Sequence, residues 1–226
     1  MVLDEMNISR IEYYFADFLS ILEYPDDQWK LKIMQLPFGF EAPEHLEDGI
    51  LTIPTNTWFI GTANKDDSTY TITDKVYDRA ITISFDDRND EFDVFEEIDT
   101  MHISYDYLRD LFDEAQNDDE VLLTKEELEK FKNVTDYIYD SFDLTFGNRI
   151  MNQIKKFTPV YVKCGGTKLQ ALDFITAQKI ICKLEGRYED YVKKGLEGLV
   201  ELLDNEYGKD EFKETKHLIA RLLRRF

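Results

Sequence analysis

With 226 residues, 43% of them apolar, the chain holds enough hydrophobic material for one large domain or two small ones, while 47 acids against 27 bases leave a formal charge of −20. That balance works against gripping a polyanion, because phosphate contacts need Lys or Arg to release counterions, so no direct nucleic-acid binding is expected. Two cysteines, Cys164 and Cys182, exclude a disulfide scaffold and with three histidines give no zinc spacing; no apolar run reaches bilayer-spanning length, and Met1–Leu3 is too short for a signal-peptide core, so a reducing, cytoplasmic setting without a membrane is expected.

The opening run Met1-Val2-Leu3 reads as a short buried strand that ends in two adjacent carboxylates, Asp4 and Glu5. Taken alone, those acids read first as a frayed strand end in solvent. Ile8, Ile11, Phe15, Phe18, Leu19 and Leu22 then recur at helical spacing until Pro25 stops the pattern. Leu31 and Ile33, then Ile50, Leu51 and Ile53, suggest two short strands joined by a loop with Pro37, Gly39, Pro43 and Gly49. Trp58-Phe59-Ile60 reads as a buried strand running into the small-residue turn Gly61-Thr62-Ala63-Asn64. Lys75 to Ala80, containing Arg79, leads into Ile81-Thr82-Ile83-Ser84-Phe85, whose alternation predicts another strand.

Acids are dense from Asp86 to Asp140, among them Asp86, Asp87, Asp90, Glu91, Asp118, Asp119 and Glu120, and such runs are usually solvated surface. Thr124 followed three residues later by Glu127 is a helix-start signature, and Leu128, Phe131, Val134 and Ile138 supply its apolar stripe. Helices are predicted near 146–157, 168–185, 189–205 and 209–225, separated by Pro159, Gly165-Gly166, Gly186 and Gly208, with Tyr161 and Val162 in a short extended segment. In the last helix Leu218, Leu222 and Phe226 share a face, and Arg221, Arg224 and Arg225 sit at the end its dipole favours for cations.

Three pieces in this order, a strand ending in Asp4-Glu5, a strand ending in Gly61-Thr62-Ala63-Asn64, and Arg79 before an alternating stretch, resemble the McrB-like branch of the AAA+ ATPases, motor subunits of modified-DNA restriction systems. Phe146-Gly147-Asn148-Arg149 is similar to the sensor 2 start of an AAA+ lid helix. The likeness covers most of the chain and is tight near residues 1–24, 53–85 and 146–184. It implies an α/β fold: a partial AAA+, P-loop NTPase-like parallel sheet core over 1–85, then a linker and mostly helical lid over 86–226.

By that resemblance Asp4 holds Mg²⁺, Glu5 orients the attacking water, Asn64 completes that water's hydrogen bonds, Arg79 is an arginine finger reaching a neighbouring subunit's nucleotide, and Arg149 contacts the phosphates from the lid. Their plainer alternatives are a turn cap for Asn64, an ion pair with Asp74 or Asp78 for Arg79, and an exposed helix-start residue for Arg149. The family's phosphate loop has no counterpart in these residues. Cys164-Gly165-Gly166-Thr167-Lys168 lacks its spacing and reads as a turn between helices. The resemblance therefore implies the C-terminal part of a motor that uses Mg²⁺ with ATP or GTP and works as a hexameric ring with an McrC-like nuclease partner. Alone, this part is expected to be catalytically silent. The alternative is a non-catalytic AAA+-like interaction module that pairs with a P-loop-containing partner.

Overall fold

The computed structural model describes residues 1–64, 66, 68–85, 99–144 and 147–226, and divides the chain into two units, Met1–Ile81 and Thr82–Phe226. About half of the chain is helical, and its sheet content is small. The acidic run from Asp86 to Glu91 lies outside the described residues, as do Lys65, Asp67 and Phe146.

In the first unit, β1 (Val2–Leu3) pairs in parallel with β4 (Ile60–Gly61), with Val2 opposite Ile60 and Leu3 opposite Gly61. Successive side chains on a strand point to opposite faces. Accordingly Leu3 and Phe59 turn inward, while Val2 (65% exposed), Ile60 (55%) and Trp58 (55%) lie on the open face. Both strands were expected to be buried, and each covers only one face. β2 (Lys30–Lys32) and β3 (Ile50–Thr52) form the antiparallel hairpin anticipated between residues 29 and 53, with Leu31 opposite Leu51. Gly49 closes it at φ +80, where a Cβ would stand 2.2 Å from the Met34 carbonyl oxygen.

The helical pattern after Asn7 forms two short pieces, α1 (Ile11–Tyr14) and α2 (Ala16–Ile21), separated at Phe15, whose φ of −116° and ψ of 11° leave the helical region. Its ring is nevertheless fully used. Ile11, Phe15 and Leu19 bury against Val76 of α3 (Asp74–Tyr77), with Leu3, Met6 and Ile72 alongside. A neighbouring cluster of Ile21, Leu31 and Ile53 fixes the hairpin. Phe18 stacks on Phe15 at 4.8 Å, and Phe59 meets both rings edge-on, so these aromatics join the two clusters.

Residues Ile81–Phe85 form no strand. Ile83 (67% exposed) and Phe85 (92%) bury neither face, and without a cross-strand partner among the described residues the alternating pattern has nothing there to stabilise it.

The second unit is helical: α4 (Tyr105–Gln116), α5 (Lys125–Phe142), α6 (Asn148–Lys163), α7 (Lys168–Lys179), α8 (Asp190–Tyr207) and α9 (Lys213–Leu223). α5 starts with the capping box foreseen at Thr124 and Glu127, and buries Phe131, Val134, Ile138 and Phe142 in one stripe facing α8. α8 answers with Val192, Leu196, Leu199 and Leu203. Each such burial contributes roughly 1.5–3 kcal/mol. The helices approach closely at Gly195, where a Cβ would lie 2.6 Å from the Phe142 ring.

α6 corrects one expectation, because Pro159 lies inside it and Tyr161 and Val162 are helical. Proline removes one helical hydrogen bond, and the burial of Ile150, Ile154 and Pro159 itself outweighs that loss. α7 is buried on every side, from Ala171 and Leu172 to Ile175 and Ala177, as befits the helix that packs against both α6 and α9. The α6–α7 connection is the Gly165-Gly166 turn, with Gly165 at φ +96 and Thr167 capping α7.

A candidate functional site at the ends of β1 and β4

Parallel pairing sends β1 and β4 out of the sheet at the same end, so Asp4-Glu5 and Thr62-Ala63-Asn64 emerge side by side. Thr62 ties the two together. Its hydroxyl donates to Asp4 Oδ1 at 2.6 Å and accepts the Glu5 amide at 2.8 Å. Its own amide donates to the Leu3 carbonyl at 3.0 Å, and its carbonyl accepts the Met6 amide at 2.8 Å. Glu5 is held at φ +50, a left-handed conformation that costs a non-glycine residue about 1–2 kcal/mol. At Gly61 a Cβ would stand 2.3 Å from Met6 Sδ, so a larger residue there would have to displace that flexible side chain.

The Asp4, Glu5 and Asn64 residues are all exposed. The Asn64 carbonyl accepts from Asn7 Nδ2 and from the Thr69 hydroxyl, both at 2.8 Å. Asp66, next along this loop, accepts the Ser68 hydroxyl at 2.6 Å and amide at 2.9 Å, and these bonds hold its carboxyl below the usual range. Thr62 and Asn7 escaped the sequence reading. Their signal was position, Thr62 inside the Gly-Thr-Ala-Asn turn and Asn7 two residues beyond the acids.

Arg79 follows α3, its Nε donating to the Leu19 carbonyl at 3.0 Å and its Nη1 to the Lys75 carbonyl at 2.6 Å, and it forms an ion pair with Glu23. The pair with Glu23 was not suggested by proximity in sequence. The guanidinium thus pins α2 to α3. Arg149 belongs to the other unit, exposed in the first turn of α6 after its N-cap Gly147, where the helix dipole does not favour a cation.

Asp4 and Thr62 offer exposed hard oxygen donors, which suit Mg²⁺, an ion bound through one or two carboxylates together with waters and substrate phosphates. Among the described residues no group of three or more His, Cys, Asp or Glu side chains is placed to hold a metal by protein ligands alone. No described helix is long and apolar enough to cross a membrane.

Residues 92–226 match a family model described as Domain of unknown function (DUF8727). That span takes in α4 to α9 and Arg149, and does not include Asp4, Glu5, Asn64 or Arg79. No curated protein and no solved structure matches the chain.

Proposed function

Since the chain belongs to the DUF8727 family, whose description names no activity, we propose from the strand ends that it is the Walker B-to-lid part of an McrB-like AAA+ nucleoside-triphosphatase motor. The observation that carries this reading is the parallel register of β1 and β4, with the Thr62 hydroxyl linking the Asp4 carboxylate to the Glu5 backbone. In parallel α/β sheets, ligands bind beyond the carboxyl ends of the strands.

In this reading Asp4 holds Mg²⁺, which when bound neutralises phosphate charge. Glu5 takes up hydrogen bonding from the attacking water and Asn64 orients it. Arg79 exchanges one anion for another, leaving Glu23 for the γ-phosphate of a neighbouring subunit in a hexameric ring, and Arg149 reaches phosphates from the lid. A segment with a phosphate loop supplies the main grip on ATP or GTP, and an McrC-like nuclease is the working partner.

The test is the gene product in which a Gly-x-x-x-x-Gly-Lys-Ser/Thr segment accompanies these residues. Glu5→Gln in that protein should lower ATP or GTP turnover on the order of a hundredfold or more while leaving nucleotide affinity within a factor of about two. Unchanged turnover, or a gene encoding no such segment upstream, overturns the proposal.

A further inference from the structure

Asn7 is polar, 3% exposed, and lies between the two segments of the proposed site. Its Nδ2 donates to the Asn64 carbonyl at 2.8 Å and to the Tyr70 carbonyl at 3.1 Å, while its backbone carbonyl accepts the Tyr70 amide at 2.9 Å. Two carbonyl acceptors fix which end of the amide is nitrogen. One planar group with two N–H donors therefore clamps both Asn64 and Tyr70 onto the turn that follows the acids. Arg10 adds to the clamp by lying over the Tyr70 ring at 5.6 Å.

Few replacements preserve this geometry. Asp would set carboxylate oxygens against two carbonyl oxygens, Ala would leave both carbonyls without their donor, and Gln would displace the amide by one methylene. Asn7 Oδ1 is buried without a hydrogen-bond partner among the described residues, a desolvation cost that an apolar side chain would avoid. The two donated bonds offset that cost.

Resting on the reading of the strand ends as a hydrolytic site, we infer that Asn7 is a positioning residue: it sets the distance between Asn64 and Asp4-Glu5, so that these groups meet the same phosphate and water. It touches none of the reacting atoms. Its effect is on alignment, and a displacement of about 1 Å at such a site costs on the order of a hundredfold in rate.

Two measurements separate this inference from the reading beneath it. In the 226-residue chain, Asn7→Ala should accelerate amide exchange at Met6, Thr62 and Tyr70 by about tenfold, with the α5 and α8 amides unchanged. Thr69→Val removes the other donor to the Asn64 carbonyl and should act the same way more weakly, which provides a second variant if Asn7→Ala unfolds the unit. In the hydrolysing protein, Asn7→Ala should lower kcat ten- to a hundredfold, roughly, and leave nucleotide Kd unchanged. Unaltered exchange in both variants overturns the clamp. Faster exchange with unaltered kcat overturns its catalytic role, and faster exchange where the wild-type protein hydrolyses nothing overturns the motor reading and the catalytic role with it.

Discussion

Asp173 offers the sharpest test of how the helical unit is held together. It lies in α7 at 5% exposure, and its carboxylate accepts the Glu214 amide at 2.9 Å and the Thr215 amide at 2.8 Å. Those amides belong to the first turn of α9, whose own N-cap, Phe212, sits at φ 53 and makes no side-chain cap bond. A side chain distant in sequence therefore caps α9. Asp173→Ala strands two amide donors at a helix N-terminus and removes an anion that the dipole favours. A lost cap costs about 0.5–2 kcal/mol and a hydrogen bond to a charged group about 1.5–3, so with partial relaxation the variant should lose about 3 kcal/mol. For a unit spanning residues 82–226, that corresponds to a fall in Tm of roughly 10 °C, or in urea midpoint of roughly 1.5 M. Helical circular dichroism under urea is a suitable probe, because the longer helices all lie in that unit. Asp173→Asn keeps one acceptor and should lose about half as much. A loss below about 1 kcal/mol for Asp173→Ala, with m unchanged, would show that water caps α9 equally well and would refute the argument.

Burial, with Glu206 and then Glu127 adding to it, pushes the Tyr207 hydroxyl up to about 12. Absorbance titration should therefore show a late-ionising tyrosine that Tyr207→Phe removes. Because its folded value is raised, the stability tied to this group is intact below the usual tyrosine value near 10 and declines as pH rises toward 12. As that hydroxyl is buried without a hydrogen-bond partner among the described residues, Tyr207→Phe should be neutral or stabilising by about 0.5–1 kcal/mol at pH 7 in a urea melt. Gly195→Ala improves helix propensity but drives a methyl into the Phe142 ring, and should destabilise by about 1–2 kcal/mol; a stabilised variant would mean that the ring moves freely. Burial raises Glu127, yet bonds from the Thr124 amide, Lys168 and the Thr124 hydroxyl outweigh it and leave the carboxyl below its usual value. Its contribution is thus present above the ordinary glutamate range and lost as pH falls through the lowered folded value, so Glu127→Gln should cost a few tenths of a kcal/mol at pH 7 and progressively less as the solution is acidified. Calorimetric titration of the chain with ATP or GTP and Mg²⁺ should show no tight binding, and a micromolar Kd would reveal a phosphate site elsewhere.

Local chemistry was legible wherever a few adjacent residues decide the outcome. Thr124 with Glu127 predicts a helix start, Gly165-Gly166 a turn, and the two apolar runs before Ile53 a hairpin, because each depends on contacts only a few residues apart. Where the deciding partner is distant, the pattern fails. Pro159 reads as a breaker until the helices burying it are known, and Ile81–Phe85 reads as a strand until its lack of a partner among the described residues is known. The same limit applied at the candidate site. Asp4, Glu5 and Asn64 stood out as motif residues, whereas Thr62 to Asp4, Asn7 to Tyr70 and Arg79 to Glu23 are each joined across 56 to 63 positions and leave no trace in either segment.

Synthesis gives the β1–β4 pairing a timetable. Val2 is made 58 residues before its partner Ile60, an interval of roughly 3–12 s at common elongation rates. Until Ile60 appears, β1 lacks its partner β4, and Leu3 lacks the Phe59 ring that lies in its cluster. Hairpin β2–β3 can assemble earlier from nearer contacts, whereas α1 and α2 also await Val76 of α3, so the strand that carries Asp4 and Glu5 pairs after the hairpin and before α3 docks. A nascent chain halted before residue 60 would thus present an open apolar strand to chaperones, and the speed of translation across residues 4 to 60 should govern how much of the protein reaches its native state.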